Sequence, residues 1–138
     1  DKLLKYFFKL IPTVIAAGGK ITNSKSEVLF IFRNEKWDLP KGKAEKNEQL
    51  PQTALREVKE ETGIKEVSIS KPLDITYHIF RRNGDYKLKV TYWFDMFSDY
   101  KGKLFPQLDE GITDVRWIKK GDLEKVKKNS YPNIRLLF

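Results

Sequence analysis

Hydrophobic and polar positions follow several different periods along this chain. Two apolar runs open it, TVIAAGGKI and EVLFIFR, separated by the polar turn TNSKS. Both have strand length and are rich in β-branched or aromatic residues, so two strands are expected. The next stretch, NEKWDLPKGKAEKNE, is interrupted by Pro40 and Gly42 and keeps no helical spacing; it reads as a loop. From Asn47 or Glu48 to Thr62 the period turns helical, with Asn47 placed to cap the helix and Gly63 to stop it. Pro51 falls in the first turn, where a missing N–H is tolerated. Pro51, Ala54, Leu55, Val58 and Thr62 make the apolar stripe that this helix would turn to the core.

Beyond the helix, VSISKPLDITYHIFRR and YKLKVTYWFDMFS flank NGD, and Asn83-Gly84 between two β-rich runs predicts a hairpin. YKGKLFPQLDE then reads as a loop, DVRWI as a short strand, and GDLEKVKK as a closing helix with a lysine-rich outer face. Strands outnumber helices and several pair as hairpins, which predicts an α+β or α/β/α layered domain with a mixed sheet. The chain shows no repeat, low-complexity tract or interdomain linker.

At 138 residues, with 40% hydrophobic and 13% aromatic content, the chain has the size of one domain and enough apolar mass to form a core. It has no cysteine, which excludes disulfides, thiol catalysis and cysteine-ligated metal, and fits a reducing, cytoplasmic setting. The one histidine, His78, rules out a histidine-cluster metal site and reads as a strand residue beside the sheet. A formal charge of +8 favours anionic ligands. The opening LLKYFFKLIPTVIAAGG is broken by Lys5, Lys9 and Pro12, so neither a signal peptide nor a membrane span is expected. Residues 1–12 read as a leader, consistent with the end of a segment cut from a longer protein, and 13–138 as the domain.

Against that positive charge, the helix gathers Glu57, Glu60 and Glu61 within an arc of roughly 100°, beside the buried stripe. Two explanations compete. A solvated face could be neutralised by Arg56 and Lys59, or the carboxylates could hold a divalent cation against a phosphate.

The spacing around the helix separates them. Gly42, five residues, Glu48, seven residues, Arg56-Glu57, an aliphatic, any residue, Glu60-Glu61, any residue, Gly63 and an aliphatic: this segment, 42–64, resembles the complete Nudix box of the Nudix (MutT-like) hydrolases. A chance match in a chain this long is on the order of 10⁻⁸ to 10⁻⁷, which sets the solvated face aside. WDLPKG before the box, AAGG in the first strand and DEGITDVRWI near the end are similar to Nudix elements too, so the resemblance covers about Thr13 to Lys120.

The resemblance implies an α/β/α sandwich with a mixed, partly antiparallel sheet, and cleavage of a nucleoside diphosphate linked to another moiety. It implies Mg²⁺ or Mn²⁺ held by Glu57, Glu60 and Glu61, with a backbone carbonyl at Lys41 or Gly42 completing the shell and Gly42 permitting a sharp loop conformation. Glu57, Glu60 or the remote Glu110 would take the proton of the attacking water, Asp109 being the competitor of Glu110. Arg56 would pair with Glu60 as a structural contact. Glu48 would reach the metal shell through water or anchor the loop, and Gly63 would end the helix. Lys41, Arg33 and Lys89 are candidates for phosphate contacts, and Tyr92 for base stacking.

WDLPKGK followed by the KVTYWF strand is similar to enzymes acting on dinucleoside polyphosphates or diphosphoinositol polyphosphates, and unlike those acting on ADP-ribose. The implied partner is a small nucleotide or polyphosphate substrate, without a membrane or a stable nucleic-acid partner. The alternative is a non-catalytic Nudix module that binds a nucleotide or RNA as a regulator. The oligomeric state stays open.

Overall fold

The computed structural model describes residues 2, 3, 5 and 11–138, so the leader expected over 1–12 lies largely outside the described residues. Seven strands form one mixed sheet: β1 (Thr13–Thr22), β2 (Val28–Arg33), β3 (Lys36–Asp38), β4 (Lys41–Lys43), β5 (Ser68–Arg82), β6 (Asp85–Phe97) and β7 (Ile112–Ile118). The path runs β3-β2-β1-β6-β5, with β4 added to β1 and β7 to β2. β1 and β6 pair in parallel from Thr13↔Leu88 to Thr22↔Phe97, and the other pairs are antiparallel. The mixed α/β fold is the expected one.

Both faces of the sheet are covered, which explains why β2 is apolar throughout instead of alternating. Leu29 and Ile31 face one core with Ala17, Met96 and the helix residues Ala54 and Val58. Val28 and Phe30 face the other with Leu39, Trp93, Ile118 and the C-terminal residues Val126, Ile134 and Leu137. The first layer is α1 (Leu50–Thr62), and the second is α2 (Leu123–Lys128) with α3 (Pro132–Arg135).

Several boundaries differ from expectation. The segment 34–48 is not all loop, because β3 and β4 form within it; each has three residues, too few to show a period, and each exists through its pairing with β2 or β1. α1 starts at Leu50, not at Asn47 or Glu48. Asn47 instead takes a left-handed turn conformation, and the Gln52 side chain accepts the Gln49 N–H at 3.1 Å. Gly63 ends the helix as expected, in the left-handed conformation at φ 77° with its N–H on the Lys59 carbonyl. The hairpin turn is formed by Asn83 and Gly84, both at positive φ. The closing helix begins as a 3-10 turn over Lys120–Asp122, and the tail adds α3. Among the described residues, no helix is long and apolar enough to cross a membrane.

Candidate active site

α1 packs its apolar stripe under the sheet and lays its polar edge along β4. Ala54, Val58 and Thr62 are fully buried, and Glu61 is buried beside them at 3% exposure. The stripe therefore carries a carboxylate into the protein.

At the start of the helix, charge is matched. Glu48 accepts Arg56 Nε at 2.7 Å and Nη2 at 3.0 Å, and it also accepts Thr53 Oγ1 at 2.7 Å and the Glu45 N–H at 3.1 Å. Those donors hold its carboxyl down to about 2, the Arg56 hydrogen bond first. With every oxygen engaged, Glu48 anchors the loop. Arg56 also donates from Nη1 to Glu57 at 2.7 Å and from Nη2 to the Lys43 carbonyl at 3.1 Å. Its contact with Glu60 is longer, 3.3 Å, and exposed. The expected Arg56–Glu60 pair is thus the minor one; Glu48 and Glu57 are the principal partners, because the loop folds back over the first turns of α1.

At the other end, charge is poorly matched. Among the described residues, Glu61 accepts the Lys41 N–H at 3.0 Å and has Arg33, at 3.9 Å, as its one ion pair. Burial pushes its carboxyl up to about 7 despite the nearby Lys41 and Arg33. Burial raises Glu57 too, against the Arg56 hydrogen bond, and the charges of Glu60 and Glu110 add to the rise. A buried carboxylate without a full set of donors is costly to ionise.

Gly42 is required for space. A Cβ there would lie 2.0 Å from Glu57 Oε2, so any other residue would displace that carboxylate from its place against β4. Gly42 lies inside β4 and is not among the positive-φ residues, so the expected sharp conformation is corrected to close approach.

A cleft of about 400 Å³ opens beside these carboxylates on the other face of the sheet. Arg33, Lys41 and Glu110 form one side, Thr76, His78, Lys89, Thr91 and Trp93 the floor, and Tyr131, Asn133 and Ile134 the far wall. Lys89 makes no salt bridge among the described residues; burial and the charges of Lys41 and Arg33 push its ammonium pKa down. Asp38, only 4% exposed, takes Lys41 Nζ at 2.7 Å and lies 3.9 Å from Arg33.

The structure thus brings together Arg33, Lys41, Lys89 and Glu110 in the cleft lining, and Glu61 meets that lining through the Lys41 N–H and Arg33; Glu57 does not line the cleft. It does not bring Tyr92 there. Tyr92 points to the α1 face, packed against the first core, while its neighbour Trp93 faces the cleft layer. The exposed Asp109 does not line the cleft. Asp38, Asn34 and the tail residues Tyr131, Asn133 and Ile134 were not foreseen. WDLPKG places Asp38 three residues before Lys41, and that spacing was the available signal for it.

Among the described residues, no three acidic or histidine side chains already converge as a metal cage. Arg56 Nη1 instead bridges Glu57 and Glu60, a cation shared between two carboxylates. The donor set nevertheless suits a hard divalent ion: clustered carboxylates, two of them costly to ionise as they stand, with Gly42 holding the backbone against Glu57.

A mixed-sheet α/β sandwich whose helix brings carboxylates to the corner of a cationic cleft is the architecture of a phosphate-handling domain. The NUDIX domain family matches residues 12–137. The chain belongs to that family, and its domain is of the hydrolase kind that acts on pyrophosphate bonds; divalent metals are general among such hydrolases. The m7GpppN-mRNA hydrolase of Saccharomyces cerevisiae is 26% identical over 136 residues, 95% of this chain, but the chain spans only 13% of that relative's length. The MutT protein from Methanosarcina mazei Go1 is 28% identical with a TM-score of 0.65, over 91% of this chain and 89% of that one. A C. elegans Ap4A hydrolase, solved as a binary complex, shares the fold at 22% identity and a TM-score of 0.62, over 90% and 92% of the two chains.

Proposed function

We propose that residues 13–138 act as one divalent-metal-dependent pyrophosphohydrolase domain that cleaves a nucleotide carrying several phosphates in a row, with a dinucleoside polyphosphate as the substrate class. The observation that carries this is the junction of two environments: under-compensated carboxylates at Glu57 and Glu61, and the cationic wall of Arg33, Lys41 and Lys89 next to them.

Glu57, Glu60 and Glu61, with the Gly42 carbonyl, would hold Mg²⁺ or Mn²⁺, which supplies charge neutralisation at the diphosphate and orientation of a water. Lys89, which makes no salt bridge among the described residues, meets a phosphate oxygen; Lys41 and Arg33, steadied by Asp38, meet the next. Glu57 or Glu110 takes the water's proton. Arg56 keeps Glu57 oriented through its 2.7 Å hydrogen bond.

The cleft favours a nucleotide over a diphosphoinositol polyphosphate. Arg33 and Lys41 form one side and Lys89 lies on the floor, while the exposed His78 and the half-buried Tyr131 are the rings that offer a flat base a face. An inositol ring with phosphates all round would need cations all round. The two relatives named for their substrates, the Ap4A hydrolase and the m7GpppN-mRNA hydrolase, support several bridging phosphates. The absence of cysteine supports a reducing, cytoplasmic setting.

A panel of dinucleoside polyphosphates, nucleoside triphosphates, ADP-ribose and diphosphoinositol polyphosphates, incubated with Mg²⁺ or Mn²⁺ and read by product chromatography, tests the proposal. Dinucleoside polyphosphates should be cleaved best and ADP-ribose weakly. Best cleavage of ADP-ribose would overturn the substrate class. Binding without any cleavage would establish the non-catalytic module instead.

A further inference from the structure

Asp38 is a buried acid that takes no part in the proton and metal chemistry proposed above. It ends β3, where its partner across the ladder is Ile31, two residues before Arg33 on β2. Only 4% of it is exposed. Its Oδ1 accepts the Leu39 N–H at 2.8 Å, and its Oδ2 accepts Lys41 Nζ at 2.7 Å. Arg33 Nη2 lies 3.9 Å from the same Oδ2, an ion pair too long for a hydrogen bond. The charge reaches Lys89 as well: burial, then the charges of Lys41 and Arg33, push that ammonium pKa down, and Asp38 opposes them. One carboxylate is thus the counter-ion that Arg33, Lys41 and Lys89 share.

The backbone that carries Asp38 is held on several sides. β3 pairs with β2, the Pro40 carbonyl accepts the Gly19 N–H at 3.1 Å, and the Lys41 N–H donates to Glu61 at 3.0 Å. Asp38 therefore has a fixed place, and the flexible stem of Lys41 takes its direction from it.

Attraction alone does not account for this arrangement. A wall built only to draw in phosphates would leave its cations uncompensated. A carboxylate set against them is costly to bury and subtracts from the field that an anion meets. What it adds is geometry. A lysine stem has many rotamers and its ammonium has three donors; Asp38 engages one donor and so limits where the other two can point. Attraction and placement make opposite demands at this residue, and the burial and short contact of Asp38 serve placement.

We propose that Asp38 is a positioning residue of the cleft: it fixes where Lys41 and Arg33 meet the substrate's phosphates and, in doing so, weakens the cleft's hold on anions in general. The proposal rests on the hydrolase reading for the reaction that this placement serves. It makes Asp38 a determinant of turnover and not of affinity.

Two measurements separate the two demands. Calorimetric titration with inorganic tripolyphosphate in EDTA reads attraction, and steady-state kinetics on the best-cleaved dinucleoside polyphosphate with Mg²⁺ reads placement. Asp38→Asn should bind tripolyphosphate about threefold more tightly, because the lost charge no longer opposes the ligand. Its kcat should fall about tenfold or more while KM does not rise, since the cations are present but misplaced. Asp38→Glu keeps the charge and moves it along a longer arm; it should lose turnover to a similar extent without the gain in affinity. A residue that merely braced the fold would lower calorimetric stoichiometry and kcat together at an unchanged Kd, and that result would overturn the proposal. Weaker tripolyphosphate binding by Asp38→Asn would overturn it too. If the parent cleaves its substrate and both variants keep its kcat, the positioning role alone fails and the hydrolase reading stands. If the parent cleaves nothing, the hydrolase reading fails, and calorimetry decides Asp38 by itself: tighter binding by Asp38→Asn sustains its restraint of the wall, and an equal Kd removes it.

Discussion

Glu48 and Glu61 belong to the same motif and bracket the same helix, yet their surroundings are opposite. Glu48 accepts four donors, and its carboxyl is held down to about 2; Glu61 accepts one N–H, and burial pushes it up to about 7. A charge supplied with donors in the folded chain is finished, and its work is to hold the loop to the helix. A buried carboxyl that lacks them is free to take a further cation, and it sits where the cleft begins. Polar satisfaction thus sorts the motif into a satisfied half and an under-compensated half, which spacing alone does not do, and the proposed chemistry rests on the second.

The sharpest way to break this comparison is to neutralise the under-compensated half. Glu57→Gln and Glu60→Gln should each lower turnover at least 100-fold while melting temperature and circular dichroism stay close to those of the parent, since neither side chain fills the core. A loss of folding in step with activity would mean that these glutamates belong to the satisfied half.

Neutralising the satisfied half should do the reverse. Arg56→Ala strips Glu48 of both charged hydrogen bonds and Glu57 of one, and should lower the urea midpoint clearly below that of the parent. Arg56→Lys should recover little, because an ammonium cannot reproduce the fork that engages Glu48 twice.

The pH dependence sharpens the contrast further. Between about 4.5 and about 7, the folded chain keeps a proton on Glu61 that the unfolded chain has released. The folded state binds more protons there, so without metal, stability falls as pH rises through that window, by up to about 3 kcal/mol. Glu57 acts in the same direction. Glu48 acts oppositely and in another window: its depressed pKa stabilises above 4.5, and that contribution is lost as pH falls toward 2. Urea midpoints from pH 4.5 to 8 in EDTA should show the decline, and Glu61→Gln should flatten it. A midpoint that rises across this range would contradict the assignment.

The smallest effect is expected at Glu110. Exposed at the cleft's mouth and felt electrostatically at Glu57, it should, as Gln, slow turnover severalfold without weakening metal binding if it takes the water's proton. Unchanged kinetics would leave the base to Glu57.

These environments were only partly legible in the sequence. α1 could be read because thirteen residues of one period expose a stripe and the box fixes its carboxylates, and the hairpin because Asn83-Gly84 dictates its turn. β3 and β4 could not be read, since three-residue strands draw their order from the strands beside them. Tyr92 was misplaced for a related reason. On a strand buried on both faces, composition does not say which parity faces the ligand, and Trp93 took the cleft side. The far wall depended on a tail whose position is set by long-range contacts, such as Asn133 Nδ2 donating to the Tyr77 carbonyl at 2.9 Å. The environment of Glu61 was legible only as proximity to the stripe; its burial required the packed structure.

The central claim, that the under-compensated carboxylates of α1 form a divalent-cation site, is tested most directly by thermal melting at pH 7.5 with and without millimolar Mg²⁺ or Mn²⁺. An ion that binds the folded chain at 100 times its Kd adds about 2.7 kcal/mol. The parent should therefore melt several degrees higher with metal, and Glu61→Gln should lose most of that gain. Equal melting temperatures for the parent with and without both ions would contradict the account.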